Sequence, residues 1–160
     1  MNDFTTQYEA TTAHDAALTA PLKVLVAEDN AADRFWLEMV LKTAGISYTM
    51  IPVTDGEAAR DYLLQHGDED PDVPDLVFLD QSLPCLTAME IVQQVPRLKS
   101  LPYCIVTGST LEKDLWVEDF GLSPHCYVVK PLTRKNLAEC LYAFSSLRHV
   151  AEAIERSAGT

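Results

Sequence analysis

The chain has 160 residues, of which 48% are apolar and 22% charged, proportions typical of a folded globular domain rather than a disordered segment. Its 24 acidic and 12 basic side chains give a formal net charge of -12. A surface this acidic repels phosphate backbones, which disfavours nucleic-acid binding. The composition therefore indicates one acidic domain with enough apolar residues to form a core.

The chain also lacks the sequence signals of membrane and secreted proteins. No apolar run approaches the roughly 20 residues that a membrane-spanning helix requires. Residues 1–15 contain neither the basic nor the apolar region of a signal peptide, so we expect a cytoplasmic protein. The cysteines, Cys85, Cys104, Cys126 and Cys140, form no CxxC pair, and their spacing indicates neither a zinc site nor a disulfide framework.

Short apolar runs alternate with segments of helical period along most of the chain. Residues 1–20 lack such periodicity and are predicted to form a mobile tail. The predicted strands, which resemble strands buried on both faces of a parallel sheet, are 22–27, 48–53, 75–80, 101–107 and 125–129. The predicted helices between them are 32–45, 55–67, 88–95 and 111–121. This alternation predicts an α/β fold with a doubly wound, five-stranded parallel sheet.

A last, long helix is predicted after Pro131, with Thr133 as its N-cap and apolar positions that continue to about residue 156. Its far end carries an apolar stripe formed by Leu147, Val150, Ala151 and Ile154. A partner helix would cover this stripe, so we expect a homodimer through the C-terminal region. The predicted organisation is a tail at 1–20, a domain at 21–148 and a C-terminal helical extension at 149–160.

Polar residues stand at the carboxyl ends of four predicted strands. Glu28 and Asp29 follow the first strand, Asp80 ends the third, Thr107 ends the fourth and Lys130 follows the fifth. Because these strand ends meet at one edge of a parallel sheet, the side chains are expected to share a crevice. The three carboxylates repel one another, and Mg²⁺ is the hard cation that suits such an oxygen-only site. The lysine and the hydroxyl suit a phosphoryl group, which an aspartate can accept as an aspartyl-phosphate.

The segments EDN, LDxxxP, VTGS and YVVKP occur in this order after or within strands one, three, four and five. Together they resemble the receiver domain of two-component response regulators, over about residues 22–146. The resemblance implies a flavodoxin-like sheet with the strand order 2-1-3-4-5. The resemblance implies that Asp80 is the phosphoacceptor. It also implies that Asp80 and Asp29 bind Mg²⁺ directly, that Glu28 does so largely through water, and that the backbone carbonyl of Ser82 is a further ligand.

The same resemblance assigns roles to the later strands. Thr107 would donate a hydrogen bond to the phosphoryl oxygen, Lys130 would pair with it, and Tyr127 would change rotamer with Thr107 as a switch. More narrowly, EDNAAD, DGEAARDYL, the acidic loop at 67–74 and CYVVKP resemble single-domain regulators associated with bacterial and cyanobacterial phytochromes. This implies a stand-alone receiver, phosphorylated by a sensor histidine kinase of the phytochrome type, that signals through protein contacts or dimerisation.

Two departures from the receiver pattern lie beside Asp80. Thr87 and Ala88 stand where such receivers usually carry an acidic residue and a glycine, and Gln81 occupies a usually apolar position. Ala88 lacks the freedom of glycine at positive φ, so we expect a differently shaped loop. The alternative function is a pseudo-receiver, an interaction module that never turns over phosphate. A small-molecule phosphatase ranks last, because Ser82 stands where the general acid of such enzymes commonly lies.

Overall fold

The computed structural model describes residues 20–109, 111 and 127–158. Its strands form one parallel sheet in the order β2-β1-β3-β4-β5, which confirms the predicted doubly wound, flavodoxin-like fold. The strands are β1 (Leu22–Ala27), β2 (Tyr48–Val53), β3 (Leu76–Asp80), β4 (Tyr103–Thr107) and β5 (Tyr127–Val129).

Five helices accompany the strands in the described part of the chain. They are α1 (Ala31–Thr43), α2 (Gly56–Gln65), α3 (Ala88–Gln94), α4 (Arg134–Tyr142) and α5 (Arg148–Ala158). Short 3₁₀ turns occupy Pro96–Ser100 and Ser145–Leu147. The predicted helix at 111–121 lies outside the described residues except for its first residue, and so does the predicted tail except for its last.

Polar side chains cap the helices that begin close to the sheet edge. At the start of α1, the side chain of Asn30 accepts a hydrogen bond from the N–H of Ala32 at 2.9 Å. Thr133 caps α4 as predicted, and Asn136 completes a reciprocal capping box with it. Because these caps satisfy exposed backbone groups, they fix where each helix begins after its strand.

The sheet separates two apolar layers. On one face, buried side chains of β1, β3 and β4 pack against α1, α4 and α5, as Val26, Leu41 and Ile154 illustrate. On the other face, the same strands pack against α2 and α3, and Leu79 and Ile91 are fully buried there. All five residues of β3 are therefore buried, as the continuous apolar run predicted.

Strand β2 forms one outer edge of the sheet and pairs only with β1 in the described structure. The carbonyls of Ser47 and Val53 accept hydrogen bonds from the N–H groups of Leu22 and Glu28, at 2.8 and 3.1 Å. The backbone hydrogen-bonding groups of successive residues point alternately to the two edges of a strand. Since those of Val53 point toward β1, the backbone nitrogen of Pro52 faces away from β1. The proline therefore costs the sheet none of its internal hydrogen bonds.

The C-terminal segment differs from the single long helix that we predicted. Helix α4 ends at Tyr142, Phe144 has the extended backbone angles φ -110° and ψ 115°, and α5 begins at Arg148. The two helices pack together, and α5 also contacts α1.

This arrangement removes the basis of the predicted dimer. The side chains of the predicted stripe are at most 1% exposed, because they lie in the core that the chain itself forms under α1 and α4. They are Leu147, Val150, Ala151 and Ile154. The stripe was wrongly expected to need a cover, since the fold already buries the surface that a partner helix would have covered. The homodimer through the C-terminal region stays a prediction without this support.

Within the described residues, no helix is both long enough and apolar enough to cross a membrane.

Candidate functional site

The carboxyl ends of β1 and β3 bring three carboxylates together. Glu28 and Asp80 are buried and Asp29 is exposed at the rim. One carboxylate oxygen from each of them lies within 4.8 Å of the others. The register explains this proximity, because Ala27 of β1 pairs with Leu79 of β3, so the next residue of each strand emerges at the same level. The predicted carboxylate cluster is therefore assembled in the structure.

Backbone N–H groups hold two of these carboxylates in place. The N–H of Ser82 donates to Oδ1 of Asp80 at 2.8 Å, and the N–H of Asn30 donates to Oε1 of Glu28 at 3.0 Å. Both donors lie two residues after their acceptors, in the turns that follow the strands. Because each carboxylate is bound by its own loop, its orientation is fixed before any ligand arrives.

Lys130 reaches into the cluster from the end of β5. Its Nζ donates to Oδ2 of Asp80 at 2.8 Å, to Oδ2 of Asp33 at 2.9 Å and to Oε2 of Glu28 at 3.3 Å. The lysine side chain is 30% exposed, so its charge lies at the mouth of the crevice rather than in the core. The predicted proximity of Lys130 to Asp80 is present, and the ion pair offsets part of the carboxylate charge.

Asp33 has no role in the sequence interpretation, although it lies within the quoted segment EDNAAD. It occupies the first turn of α1, where an acidic residue is expected simply because it favours the helix dipole. Only the folded structure shows that its carboxylate meets Lys130. The sequence held one signal for this role. Asp33 follows Glu28 by five residues and lies in the helix that begins directly after the acidic turn.

Burial and hydrogen bonding move the three central groups away from their ordinary pKa values. Burial, together with a hydrogen bond shared with Asp80, raises the pKa of Glu28 to about 7. Burial also acts to raise the pKa of Asp80, but hydrogen bonds from Glu28, Lys130 and Ser82 outweigh it and hold that pKa below its usual range. For Lys130, burial opposes the charge, yet hydrogen bonds to Asp80 and Asp33 raise its pKa. At neutral pH Asp80 is therefore ionised beside a charged lysine.

Thr107 and Tyr127 occupy different surroundings on the last two strands. Thr107 ends β4 with 1% exposure, and its Oγ1 accepts a hydrogen bond from the N–H of Ser109 at 3.3 Å. Its carbonyl accepts the N–H of Lys130 at 2.7 Å, which ties the ends of β4 and β5 together. Tyr127 begins β5 and is 5% exposed, packed in the apolar layer with Tyr103 and Ile105. Thr107 thus lies at the site edge, whereas the ring of Tyr127 lies in the core.

The loop after Asp80 does not need a glycine at position 88. Ala88 is the first residue of α3, Thr87 caps that helix, and the positive φ of 71° falls on Cys85 instead. Gln81 lies at the start of this loop, and its Oε1 is buried without a hydrogen-bond partner in the described structure. The structure therefore accommodates alanine at position 88 without a positive φ there.

Helix α2 holds this loop from the side. The N–H of Gly56 donates to the carbonyl of Pro84 at 2.9 Å. A Cβ atom at Gly56 would lie only 2.1 Å from the carbonyl oxygen of Leu86. The loop therefore approaches α2 so closely that a side chain at position 56 would collide with backbone.

The donor set fits a hard divalent cation. It consists of carboxylate oxygens, of which two are buried, and their mutual repulsion is offset only in part by Lys130. Mg²⁺ prefers oxygen ligands and retains water, and the exposed position of Asp29 leaves the crevice open to solvent. Ser82, whose backbone carbonyl was predicted to be a ligand, is exposed in the turn beside Asp80.

Comparisons with known proteins agree with this architecture. The profile of the family described as the response regulator receiver domain matches residues 24–142. Response regulator Rcp1 of Synechocystis sp. is 33% identical over 130 residues, which cover 79% of this chain and 88% of Rcp1. The Mn²⁺-bound structure of Rcp1 is similar with a TM-score of 0.60 at 31% identity, covering 80% of this chain and 96% of that one.

Two further solved structures are also similar. The bacteriophytochrome response regulator RtBRR has a TM-score of 0.66 at 28% identity, covering 86% of this chain and 90% of its own. The phosphorylated cyanobacterial phytochrome response regulator RcpA has a TM-score of 0.57 at 25% identity, covering 86% of this chain and 91% of its own.

Proposed function

The chain belongs to the response regulator receiver domain family, and from this premise we propose that it accepts a phosphoryl group on Asp80. Members of this family are signalling modules rather than classical enzymes. The observation that carries the proposal is the pairing of buried Asp80 with Lys130 at 2.8 Å inside a group of three carboxylates. The proposed donor is a sensor histidine kinase, and the proposed setting is the cytoplasm.

In the proposed transfer, an ionised carboxylate oxygen of Asp80 attacks the phosphorus atom of a phosphohistidine. The P–N bond breaks, its electron pair stays with the imidazole, and a P–O bond forms on the aspartate. The lowered pKa of Asp80 supports this role, because the nucleophile is then ionised at neutral pH. The N–H of Ser82 and the Nζ of Lys130 orient the carboxylate before the attack.

Glu28, Asp29, Asp80 and the carbonyl of Ser82 are the proposed ligands of Mg²⁺. When bound, the ion would supply positive charge that offsets both the carboxylates and the incoming phosphoryl oxygens. The similarity to the Mn²⁺-bound form of Rcp1 supports a divalent cation here.

Phosphorylation would replace the single negative charge of the Asp80 carboxylate by the roughly -1.5 to -2 of the phosphoryl group. Lys130 would exchange part of its contact with Asp33 and Glu28 for the new phosphoryl oxygens, and the Thr107 hydroxyl would turn from Ser109 toward them. Since the N–H of Lys130 donates a hydrogen bond to the carbonyl of Thr107, the ends of β4 and β5 would move together. Tyr127, at the start of β5, is the proposed side chain through which the change reaches the core.

The proposed upstream partner is a kinase of the phytochrome type. Support comes from the relatives, since both RtBRR and RcpA are described as phytochrome response regulators. We propose that this receiver transmits the signal through protein contacts.

The test is phosphate-affinity gel electrophoresis after incubation with acetyl phosphate, with Mg²⁺ or with EDTA. We expect a shifted band for the wild type with Mg²⁺ and none for Asp80→Asn. Asp33→Asn is the matched control, because it also removes a carboxylate that contacts Lys130 but leaves the proposed nucleophile. It should still give the shifted band.

Two results would contradict the proposal. Full labelling of a folded Asp80→Asn variant would place the acceptor elsewhere. A wild type that is folded and yet never shifts, with acetyl phosphate or with a purified histidine kinase, would instead support the pseudo-receiver.

A further inference from the structure

Two buried cysteines meet in the core beneath α4. The Sγ atoms of Cys104 and Cys140 lie 2.7 Å apart, although the residues are 36 positions apart in sequence. Cys104 is 0% and Cys140 3% exposed. Their spacing in the chain indicated no disulfide. They meet only in the fold, because Cys104 lies in a strand and Cys140 lies in a helix that folds back over it.

This contact is shorter than ordinary packing gives. Non-bonded carbon atoms pack at roughly 3.5 to 4.0 Å, and sulfur is larger than carbon. A disulfide bond is about 2.05 Å long, so the two sulfur atoms would need to approach by only roughly 0.7 Å. The distance thus places them closer to the bonded geometry than to two separate core residues.

Ordered elements hold both cysteines. Cys104 lies within β4, which is paired with β3 on one side and with β5 on the other. Cys140 lies in α4, whose start is fixed by the capping box at Thr133 and whose neighbour Leu141 is fully buried. Neither residue is in a loop, so the contact results from the packing of α4 on the sheet.

A purely structural role would explain one small apolar residue at either position, since buried cysteine packs as a small apolar group. It does not explain two thiols in contact. A metal site is not indicated either, because no cluster of three metal-ligating side chains in the described residues includes this pair. The chemistry open to two adjacent thiols is oxidation to a disulfide.

We propose that Cys104 and Cys140 are a dithiol that closes to an intramolecular disulfide in the presence of hydrogen peroxide. One thiolate attacks a peroxide oxygen, which gives a sulfenic acid and hydroxide. The second thiolate attacks that sulfur, forms the S–S bond and releases the sulfenic oxygen as hydroxide. Two thiols and one peroxide thus give one disulfide and two waters, once the two protons released by the thiols are counted.

The position of this modification gives it a structural consequence. The bond would join β4, which ends in Thr107, to α4, which follows Lys130 and Pro131. These are two of the elements that lead to the carboxylate cluster. The inference does not depend on phosphorylation of Asp80, because it rests on the two sulfur atoms alone.

Cys85 provides an internal reference for the reaction. It is exposed in the loop after β3, whereas the pair is buried. Hydrogen peroxide is small, but it reaches the pair only when α4 opens slightly, so the pair should react more slowly than Cys85. Exposure to the oxidant must therefore continue well beyond the point at which Cys85 is fully oxidised.

The test uses the full chain, treated with hydrogen peroxide, blocked with N-ethylmaleimide and digested with trypsin. The basic residues place the cysteines in separate peptides, 61–97, 100–113, 114–134 and 136–148. We expect a linked species of 100–113 with 136–148, about 2 Da lighter than the two reduced peptides together. It should arise in the monomer band of a non-reducing gel and disappear with dithiothreitol.

Variants make the result decisive. Cys85→Ser should leave the linked species unchanged, whereas Cys140→Val, which keeps an apolar side chain in the core, should abolish it. Oxidation should also raise the melting temperature of the wild type by several degrees and leave that of Cys140→Val unchanged. Treatment in urea should give mixed pairings, because the contact depends on the fold.

Three outcomes would overturn the inference. One is the absence of the linked species after exposure well beyond the full oxidation of Cys85. Another is a linkage that instead involves peptide 114–134, which contains Cys126. The third is stepwise conversion of Cys104 or Cys140 to sulfinic acid without any crosslink.

Discussion

Lys130 is a cation shared by three acidic side chains. Its contacts with Asp80, Asp33 and Glu28 at 2.8 to 3.3 Å would lose part of their Coulomb energy if the lysine moved toward a ligand. A divalent cation at the carboxylates would supply the charge that Lys130 now provides. The residue is therefore poised to exchange partners rather than to hold one permanently.

Glu28 is the residue in which burial and charge conflict most. Its pKa is raised from an ordinary 4.5 to about 7, so the folded state binds a proton that the unfolded chain has already lost. That proton stabilises the folded metal-free protein at low pH, and the contribution is lost as the pH rises from about 4.5 through about 7. Above that range Glu28 is ionised in a buried position, which costs stability.

We therefore expect Glu28→Gln to melt a few degrees above the wild type at pH values above 7 in EDTA. Between pH 5 and pH 7, the melting temperature of the variant should fall less than that of the wild type. Thermal melts across this pH range measure both effects. Glu69→Gln, at an exposed position, is the matched control and should follow the wild type. Parallel pH curves for Glu28→Gln and the wild type would refute the raised pKa.

Among individual residues, the main site residues could be predicted from the sequence, because each follows or ends a recognisable strand. The partner Asp33 could not be assigned, since an acid in the first turn of a helix has a local explanation. The contact between Cys104 and Cys140 could not be predicted for a related reason. It depends on how far α4 reaches across the sheet, which periodicity does not specify.

Helix α2 and the loop after β3 approach each other closely beside the site. Gly56 lies at the start of α2, and any Cβ there would meet the carbonyl group of Leu86. Because backbone cannot turn aside as a flexible side chain can, the helix and the loop would have to separate.

We expect Gly56→Ala to destabilise the protein by about 1 to 3 kcal/mol, the usual cost of overpacking. Urea denaturation measures the change in free energy of unfolding. Gly67→Ala is the matched control, because a Cβ at Gly67 meets nothing within 4 Å. Equal stability of the two variants would show that the loop yields easily and does not depend on α2 for its position.

The strands and most helix starts were predictable from apolar runs and capping residues, as Thr133 shows. The break between α4 and α5 was not. Leu141, Phe144 and Leu147 continue the helical spacing across it, and neither glycine nor proline marks the turn. Tertiary packing determines the break. The bent segment buries Leu147 and Ile154 in the chain's own core, whereas a straight helix would leave both side chains exposed.

For the molecule as a whole, α5 is part of the domain although it lies beyond the matched family region at 24–142. Ile154 is fully buried there, while Glu152 on the same helix is exposed. We expect Ile154→Ala to lower the free energy of unfolding by about 2 to 5 kcal/mol. Glu152→Ala should change it by less than about 0.5 kcal/mol.

Protein concentration distinguishes this explanation from a dimer interface. If Ile154 packs within its own chain, the loss in the Ile154→Ala variant is the same at low and high micromolar concentration. A loss that shrinks on dilution, together with a wild type whose melting temperature rises with concentration, would restore the dimer through α5.

The orientation of Pro52 has a consequence for how copies of this protein meet in a crowded solution. An unprotected edge strand offers a row of donors to the sheet of another molecule, and such pairing leads to aggregation. On the outer side of β2 the donor positions are Tyr48, Met50 and Pro52, and the last has no N–H to give. A neighbouring strand therefore meets a gap in the ladder, and edge-to-edge growth of the sheet is disfavoured at the end of β2 nearest the carboxylate cluster.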